Sequence, residues 1–214
     1  MPTIAFLSQK GGAGKTTLAT CVARKLHLDG HDVILIDSDP QGSARDWRAA
    51  TELDTVLVVG LDRPTLDKDV KAIAGDGKKW VIIDGAPRNE AMTLSAIKVA
   101  DLVVIPVQPS PYDVWATEDL VSVIKARQEI TDGKPKAAFL ITRAIRRTEL
   151  SRDVSTALSE MGLPVMQSMT IQRQIYPKTA AMGLTPADSE PDGEAAKEIK
   201  AIIAEIASMI EVNI

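Results

Sequence analysis

The amino-acid sequence predicts a doubly wound α/β fold, a mostly parallel sheet with helices on both faces. Two features carry that expectation. Short runs rich in β-branched residues recur along the chain, and they are continuously apolar, the pattern of strands covered by helices on both sides. Helical stretches separate these runs, and strand–helix alternation of this kind builds parallel sheets. In order, residues 3–8 (TIAFLS) open the chain as a strand, and 15–29 form a helix stopped by Gly30. The strand 32–36 (DVILI) leads to a helix over 43–50, the strand 55–59 to a helix over 66–74, and the strand 80–83 (WVII) to a helix over 90–99. Residues 102–107 (LVVIPV) form a fifth strand, followed by a proline-stiffened loop and a helix over 114–131 closed by Gly133. The strand 137–141 (AAFLI) precedes a helix over 148–161 that ends at Gly162. Residues 163–167 add a short last strand, after which 171–182 and 193–210 read as helices, with a loop over 187–193.

The 214 residues contain no internal repeat or linker, and 45% apolar against 25% charged residues is the composition of a folded globular unit. A single domain over 1–214 is therefore expected. Met1 stands two residues before the first strand, so no N-terminal helix-turn-helix domain is expected. The one cysteine, Cys21, excludes a disulfide framework, a multi-cysteine zinc site and a thiolate-held iron–sulfur cluster, and reads as a small helix-packing residue. With 25 basic and 29 acidic residues the net charge is −4, so any nucleic-acid contact must come from a local basic patch. No apolar run approaches the ~18 residues of a membrane span, and the amino end lacks the basic region of a signal peptide, so the expected compartment is the cytoplasm.

The chemistry begins between the first strand and the first helix, at Gln9-Lys10-Gly11-Gly12-Ala13-Gly14-Lys15-Thr16-Thr17. Glycines let backbone N–H groups curl around phosphate oxygens, and the helix that follows presents its positive dipole end to the anion. Lys15 can reach the β- and γ-phosphates of ATP, and the Thr16 hydroxyl can ligate Mg²⁺. Gln9 stands where an ordinary phosphate loop has its first glycine, and a second lysine, Lys10, opens the loop instead. With this deviant Walker A box, KGGxGKTT, the chain resembles the ParA/MinD class of P-loop ATPases. The resemblance implies that residues 10–17 hold ATP or ADP, that Lys10 and Lys15 are catalytic, and that Lys10 crosses a dimer interface to the nucleotide of the other subunit.

Two strand ends supply carboxylates. Residues 35–41 read LIDSDPQ, and Asp37 and Asp39, at alternate positions of an extended segment, point the same way at the carboxyl end, where doubly wound folds bind ligands. Buried together without a cation they would repel and raise each other's pKa. The resemblance makes this segment switch I, with Asp39 positioning the hydrolytic water and Asp37 supporting the metal. Capping the helix near Ser43 is the other role open to Asp39. Residues 81–87 read VIIDGAP, a Walker B pattern in which Asp84 holds Mg²⁺ directly or through water, with switch II running from Gly85 to Arg88.

Segments 105–113 (IPVQPSPYD), 140–143 (LITR) and 171–176 (IQRQIY) resemble those of the small ParA-type, ParF-like DNA-partition ATPases, and the resemblance runs nearly end to end. It places Gln108, Thr142 and Arg143 at the nucleotide edge, as contacts to the adenine or to the partner subunit. The function it implies is nucleotide-switched: ATP and Mg²⁺ drive a face-to-face homodimer, the dimer binds nucleoid DNA without sequence preference, and a ParB- or ParG-like centromere-binding partner stimulates hydrolysis and release. Polymerisation beyond the dimer stays open. The expected DNA face collects Arg143, Arg146, Arg147 and Arg152, joined by Arg173 and Lys178. Without the resemblance, a solvated helix face is the simpler reading of that cluster.

Two other functions compete. A MinD-like positioning ATPase would use its C-terminal helix on a membrane, but here Glu194, Glu198, Glu205 and Glu211 outnumber Lys197 and Lys200. Ile199, Ile202, Ile203, Ile206 and Ile210 form a core-facing stripe, so no membrane partner is expected. An ATP-dependent synthetase of the dethiobiotin or cobyrinate kind would need a substrate pocket at the dimer interface, which no residue identifies.

Overall fold

The computed structural model describes residues 1–75, 79–145 and 149–213, and of residues 74 and 149–152 the backbone alone. Six strands form one sheet: β1 (Thr3–Phe6), β2 (Val33–Asp37), β3 (Leu57–Gly60), β4 (Trp80–Asp84), β5 (Leu102–Val107) and β6 (Lys136–Ile141). Their order is β3-β2-β4-β1-β5-β6 and every pairing is parallel. The winding reverses at β1, with β4 on one side and β5 on the other, so the carboxyl end of β1 opens into the crevice where doubly wound sheets take their ligands.

The helices are α1 (Lys15–Leu28), α2 (Ser43–Ala49), α3 (Leu66–Ala74), α4 (Glu90–Val99), α5 (Pro111–Trp115), α6 (Glu118–Glu129), α7 (Glu149–Glu160), α8 (Ile175–Ala180), α9 (Pro186–Ser189) and α10 (Glu194–Met209). They cover both faces of the sheet, and this is why the strands carry no polar alternation. Ile4, Phe6, Leu35, Ile82, Val104 and Leu140 pack under α1 and α10, while Ala5, Ile34, Ile36, Ile83, Val103 and Phe139 pack under α3, α4, α6 and α7. The stripe Ile199, Ile202, Ile203 and Ile206 of α10 belongs to the first of these layers. Among the described residues no helix is long and apolar enough to cross a membrane. Cys21 lies in the same layer, and burial pushes its thiol up to about 12, with Asp188 adding, so it stays an unreactive packing group.

Four segments differ from the sequence expectation. The helix expected over 114–131 is two. Pro111 starts α5 early, and the Thr117 hydroxyl donates to the Val114 carbonyl at 2.7 Å, a local bond that competes with helix continuation before α6 begins. Residues 163–167 reach the sheet edge only as an isolated parallel bridge, Phe139 with Val165, beside a proline at 164 that has no N–H to donate. The start of the expected helix 171–182 is held extended, because Ile171 bridges Ala144 and the Gln172 N–H donates to the Ala144 carbonyl, so α8 begins only at Ile175. The expected loop 187–193 is entered by α9, where the Asp188 carboxylate accepts from the Thr185 N–H at 2.9 Å and from its hydroxyl at 2.8 Å.

Immediately after β4, Gly85 donates its N–H to the Phe6 carbonyl at 3.1 Å. A Cβ there would stand 2.5 Å from Leu7 Cδ2 and 2.7 Å from that same carbonyl oxygen. The leucine can yield but the backbone oxygen cannot, so Gly85→Ala should lower stability by about 1–3 kcal/mol. A drop in the urea midpoint with an unchanged slope is the expected result.

Candidate active site

The loop between β1 and α1 closes around Gly12 and Gly14, whose φ values of 78° and 99° belong to the left-handed region that glycine alone enters without strain. Gly14 is the N-cap of α1. No side chain caps the helix and its first turn carries no acid, so its leading N–H groups are open to an anion. Neighbouring strand ends brace the loop from outside. Gln108, just past β5, donates its amide to the Gly12 carbonyl at 2.8 Å, and Thr142, just past β6, donates its hydroxyl to the Ala13 carbonyl at 3.0 Å. Both bonds engage loop carbonyls and tie the loop to the neighbouring strand ends. The Lys15 ammonium spans the loop to the Lys10 carbonyl at 3.2 Å. Burial lowers the Lys15 pKa, and the charges of Asp84 and Asp39 work in the opposite direction.

Strand register puts Asp37 and Asp84 directly opposite one another on β2 and β4. By alternation from Leu35 and Ile82, both point to the face that carries α1. Their surroundings differ. Asp37 is fully buried and satisfied: one oxygen accepts from the Asp39 N–H at 3.1 Å, the other from the Ala44 and Arg45 N–H groups at 3.1 and 3.0 Å and from the Arg45 guanidinium at 3.4 Å. It thus caps α2, the role that sequence left open for Asp39. Asp84 is also fully buried, yet neither carboxylate oxygen has a hydrogen-bond partner. Burial pushes its carboxyl up to about 7, and Asp37 and Asp39 add to the rise. The Thr16 hydroxyl and the Lys15 ammonium pull against it, the hydroxyl near enough to favour the charged form without completing a hydrogen bond.

Mg²⁺ takes one or two carboxylates, hydroxyls, waters and phosphate oxygens, not a closed protein cage. The two bare oxygens of Asp84 beside Thr16 fit that donor set, and among the described residues no group of three or more His, Cys, Asp or Glu forms a cage. Asp37, expected beside the metal, has one oxygen engaged by the Asp39 N–H and the other by α2 and the Arg45 guanidinium. Asp39 lies beyond the end of β2, half-buried, with one oxygen accepting from the Gln41 N–H at 2.9 Å and the other taking no hydrogen bond from the described residues. Along one strand Asp37 and Asp39 are therefore not a facing pair; the facing pair is Asp37 and Asp84.

A cavity of about 780 Å³ adjoins the cradle, lined by Gly14, Thr17, Leu18, Thr142, Arg143 and Tyr176 among others. Thr142 and Arg143 thus reach a space beside the helix end, whereas the Gln108 amide serves the loop itself. The Lys10 ammonium forms an ion pair with Asp113 of α5, an acid that is 6% exposed and that the sequence reading did not single out. Of the expected DNA face, Arg143 and Lys178 are exposed, and Arg146 and Arg147 lie outside the described residues, as does the side chain of Arg152. Arg173 is held by Glu198 at 2.8 and 3.0 Å, with Glu194 3.9 Å away, so its charge is already balanced.

Residues 4–186 match the sequence profile of the CobQ/CobB/MinD/ParA nucleotide binding domain. The chain is 30% identical over 208 residues to the maintenance of carboxysome distribution protein A of Halothiobacillus neapolitanus, covering 95% of each chain. It is 30% identical over 181 residues to Protein ParA of Rhizobium radiobacter, covering 82% of this chain and 81% of that one. In fold it is similar to the septum site-determining protein MinD of Pyrococcus horikoshii complexed with Mg-ADP, with a TM-score of 0.74 at 16% identity over 100% of this chain and 99% of that one.

The bare Asp84 carboxylate has a thermodynamic signature. The folded chain keeps its proton up to about pH 7, while the unfolded chain releases it near 3.8. Between those values the folded state binds more protons, so stability falls as pH rises. Asp84→Asn cannot ionise, and the nucleotide-free variant should melt above the wild type at pH 8, by more than at pH 5, with the gap closing towards pH 3.8. Equal melting temperatures at pH 8 would mean that the carboxylate is not under strain.

Proposed function

The chain belongs to the CobQ/CobB/MinD/ParA nucleotide-binding family, whose ParA- and MinD-type members are ATPases that bind their nucleotide with Mg²⁺, and from that premise we propose that it is a ParA-type partition ATPase whose ATP-bound dimer grips DNA and lets go on hydrolysis. The observation that carries this reading is the division of labour between two lysines on one loop. Lys15 closes its own cradle, and the Lys10 ammonium is paired with Asp113, so a second lysine is available to a nucleotide other than its own.

In the proposed cycle the phosphates rest on the N–H groups of residues 11–17 at the amino end of α1, with Lys15 across them. Asp84 and Thr16 hold Mg²⁺, which neutralises charge on the β- and γ-phosphate oxygens when bound. Asp39 orients the attacking water through its open oxygen. Thr142 and Arg143 line the space for the base. Two cradles meet face to face, and each Lys10 exchanges Asp113 for the nucleotide of the other subunit. Pairing doubles the basic surface of Arg143, Arg146, Arg147, Arg152 and Lys178, which then holds nucleoid DNA by phosphate contacts. Arg173 contributes least, since Glu198 already neutralises it. A ParB- or ParG-like partner bound to the cargo stimulates hydrolysis and resets the switch. The cargo is a plasmid or chromosome in the first reading. A protein compartment is a second, favoured by the likeness to a carboxysome distribution protein along 95% of both chains.

Lys15→Ala should give no calorimetric heat with ATP and Mg²⁺, whereas Asp39→Ala should bind ATP and elute as a persistent dimer. An Asp39→Ala protein that remains monomeric with saturating ATP would rule out the face-to-face mechanism.

Duplex DNA retention should require ATP and weaken steeply with salt. Replacing Arg146 and Arg147 with alanine should flatten the slope of log affinity against log salt by about 0.9 for each DNA phosphate that the two side chains neutralise. An unchanged slope removes both arginines from the DNA face.

A further inference from the structure

Arg45 and the Asp37 carboxylate tie the loop 39–42 to the body of the sheet, Asp37 by accepting from the Asp39 N–H at 3.1 Å and Arg45 through its guanidinium. Arg45 lies in the first turn of α2, and its guanidinium turns back over the loop, donating to the Asp39 carbonyl at 3.0 Å, to the Pro40 carbonyl at 3.5 Å and to the Asp37 carboxylate at 3.4 Å. The slot it fills is made by two missing side chains. A Cβ on Gly42 would stand 3.1–3.2 Å from the guanidinium, and one on Gly60, at the end of the edge strand β3, would stand 3.0 Å from Arg45 Cδ and 3.2 Å from a terminal nitrogen.

Neither α2 nor Asp37 needs this side chain. The buried Asp37 carboxylate keeps three backbone donors, the N–H groups of Asp39, Ala44 and Arg45, whatever residue other than proline stands at 45. What the guanidinium adds, and no other described side chain supplies, is a hold on the carbonyls at 39 and 40, the first of which also accepts from the Gly42 N–H of the turn at 3.0 Å. Asp39 leaves the chain from that clamped turn, with one carboxylate oxygen already accepting from the Gln41 N–H within it and the other open.

We propose that Arg45 is a positioning residue for ATP hydrolysis: by clamping the 39–40 carbonyls it fixes the direction in which the Asp39 carboxylate meets the attacking water. This rests on the role given to Asp39 above. A planar fork that reaches two carbonyls and a carboxylate at once is a geometry that arginine supplies and lysine does not, so charge alone should not restore it.

The test is phosphate release at saturating ATP and Mg²⁺ for the wild type, Asp39→Ala, Arg45→Gln, Arg45→Lys and Gly60→Ala, with ATP affinity and melting temperature measured alongside. Arg45→Gln should lower kcat about tenfold to a hundredfold while ATP affinity stays within about twofold, because misplacing a catalytic group costs rate and not ground-state binding. Arg45→Lys should fail to rescue. Gly60→Ala, which crowds Arg45 without touching Asp39, should lower kcat in the same direction by less. Arg45→Gln combined with Asp39→Ala should be no slower than Asp39→Ala alone. If Asp39→Ala is slow and Arg45→Gln turns over at the wild-type rate, the positioning role is wrong. If Arg45→Gln loses kcat and ATP affinity in proportion, together with melting temperature, the residue is merely structural and the proposal falls. If Asp39→Ala itself retains the wild-type kcat, the role given to Asp39 fails first and Arg45 has nothing to position.

Discussion

Two buried carboxylates standing side by side at the ends of β2 and β4 are the constraint on which the site is built. Parallel register puts Asp37 opposite Asp84, and strand alternation turns both toward α1, so neither can escape into solvent. Two unscreened negative charges at that separation would repel strongly in a low-dielectric interior. The fold resolves the conflict unequally. Asp37 receives three backbone N–H groups and a guanidinium, which satisfy both its oxygens as the cap of α2, while Asp84 receives no hydrogen bond at all. A carboxyl left bare in the interior of a folded chain costs stability, and it persists where a ligand can complete it.

The cradle beside it is stiffened by long-range bonds. Gln108 and Thr142, from the two strands on the far side of β1, hold the carbonyls of Gly12 and Ala13, so the loop is shaped before any anion arrives. Preorganised donors bind without a further ordering cost, the usual advantage of an anion site at a helix start. Lys15 completes the ring from within. The elements placed to respond to a ligand lie around this rigid part: the turn carrying Asp39, and Lys10 on Asp113.

The phosphate loop was legible from local sequence because its chemistry is local: glycine at 12 and 14, lysine at 15 and a helix start follow one another along the chain. The six strands of the sheet were legible too, since burial on both faces leaves continuous apolar runs, whereas 163–167 gives only an isolated bridge at the sheet edge. Roles at the strand ends were not. Which of Asp37 and Asp39 caps α2 depends on where β2 stops, and extended spacing suggested a facing pair that the chain breaks by turning after Asp37. Gln108 and Thr142 were expected at the adenine or the partner subunit. What the linear reading did not contain is that the amide of one and the hydroxyl of the other each reach a loop carbonyl more than ninety residues away in sequence. Arg173 read as a free cation until α10 brought Glu198 beside it.

Sequence alone determined the architecture and the nature of the site: a helix-covered parallel sheet, a glycine cradle with two lysines, and acids at strand ends. These depend on periodicity and on contiguous residues, which a linear reading contains. Tertiary structure alone decided which acid stays bare, which cation is already neutralised and which side chains brace the loop. Each of those outcomes is a competition among donors and acceptors that meet only once the strands are in register, and register is a property of the folded chain.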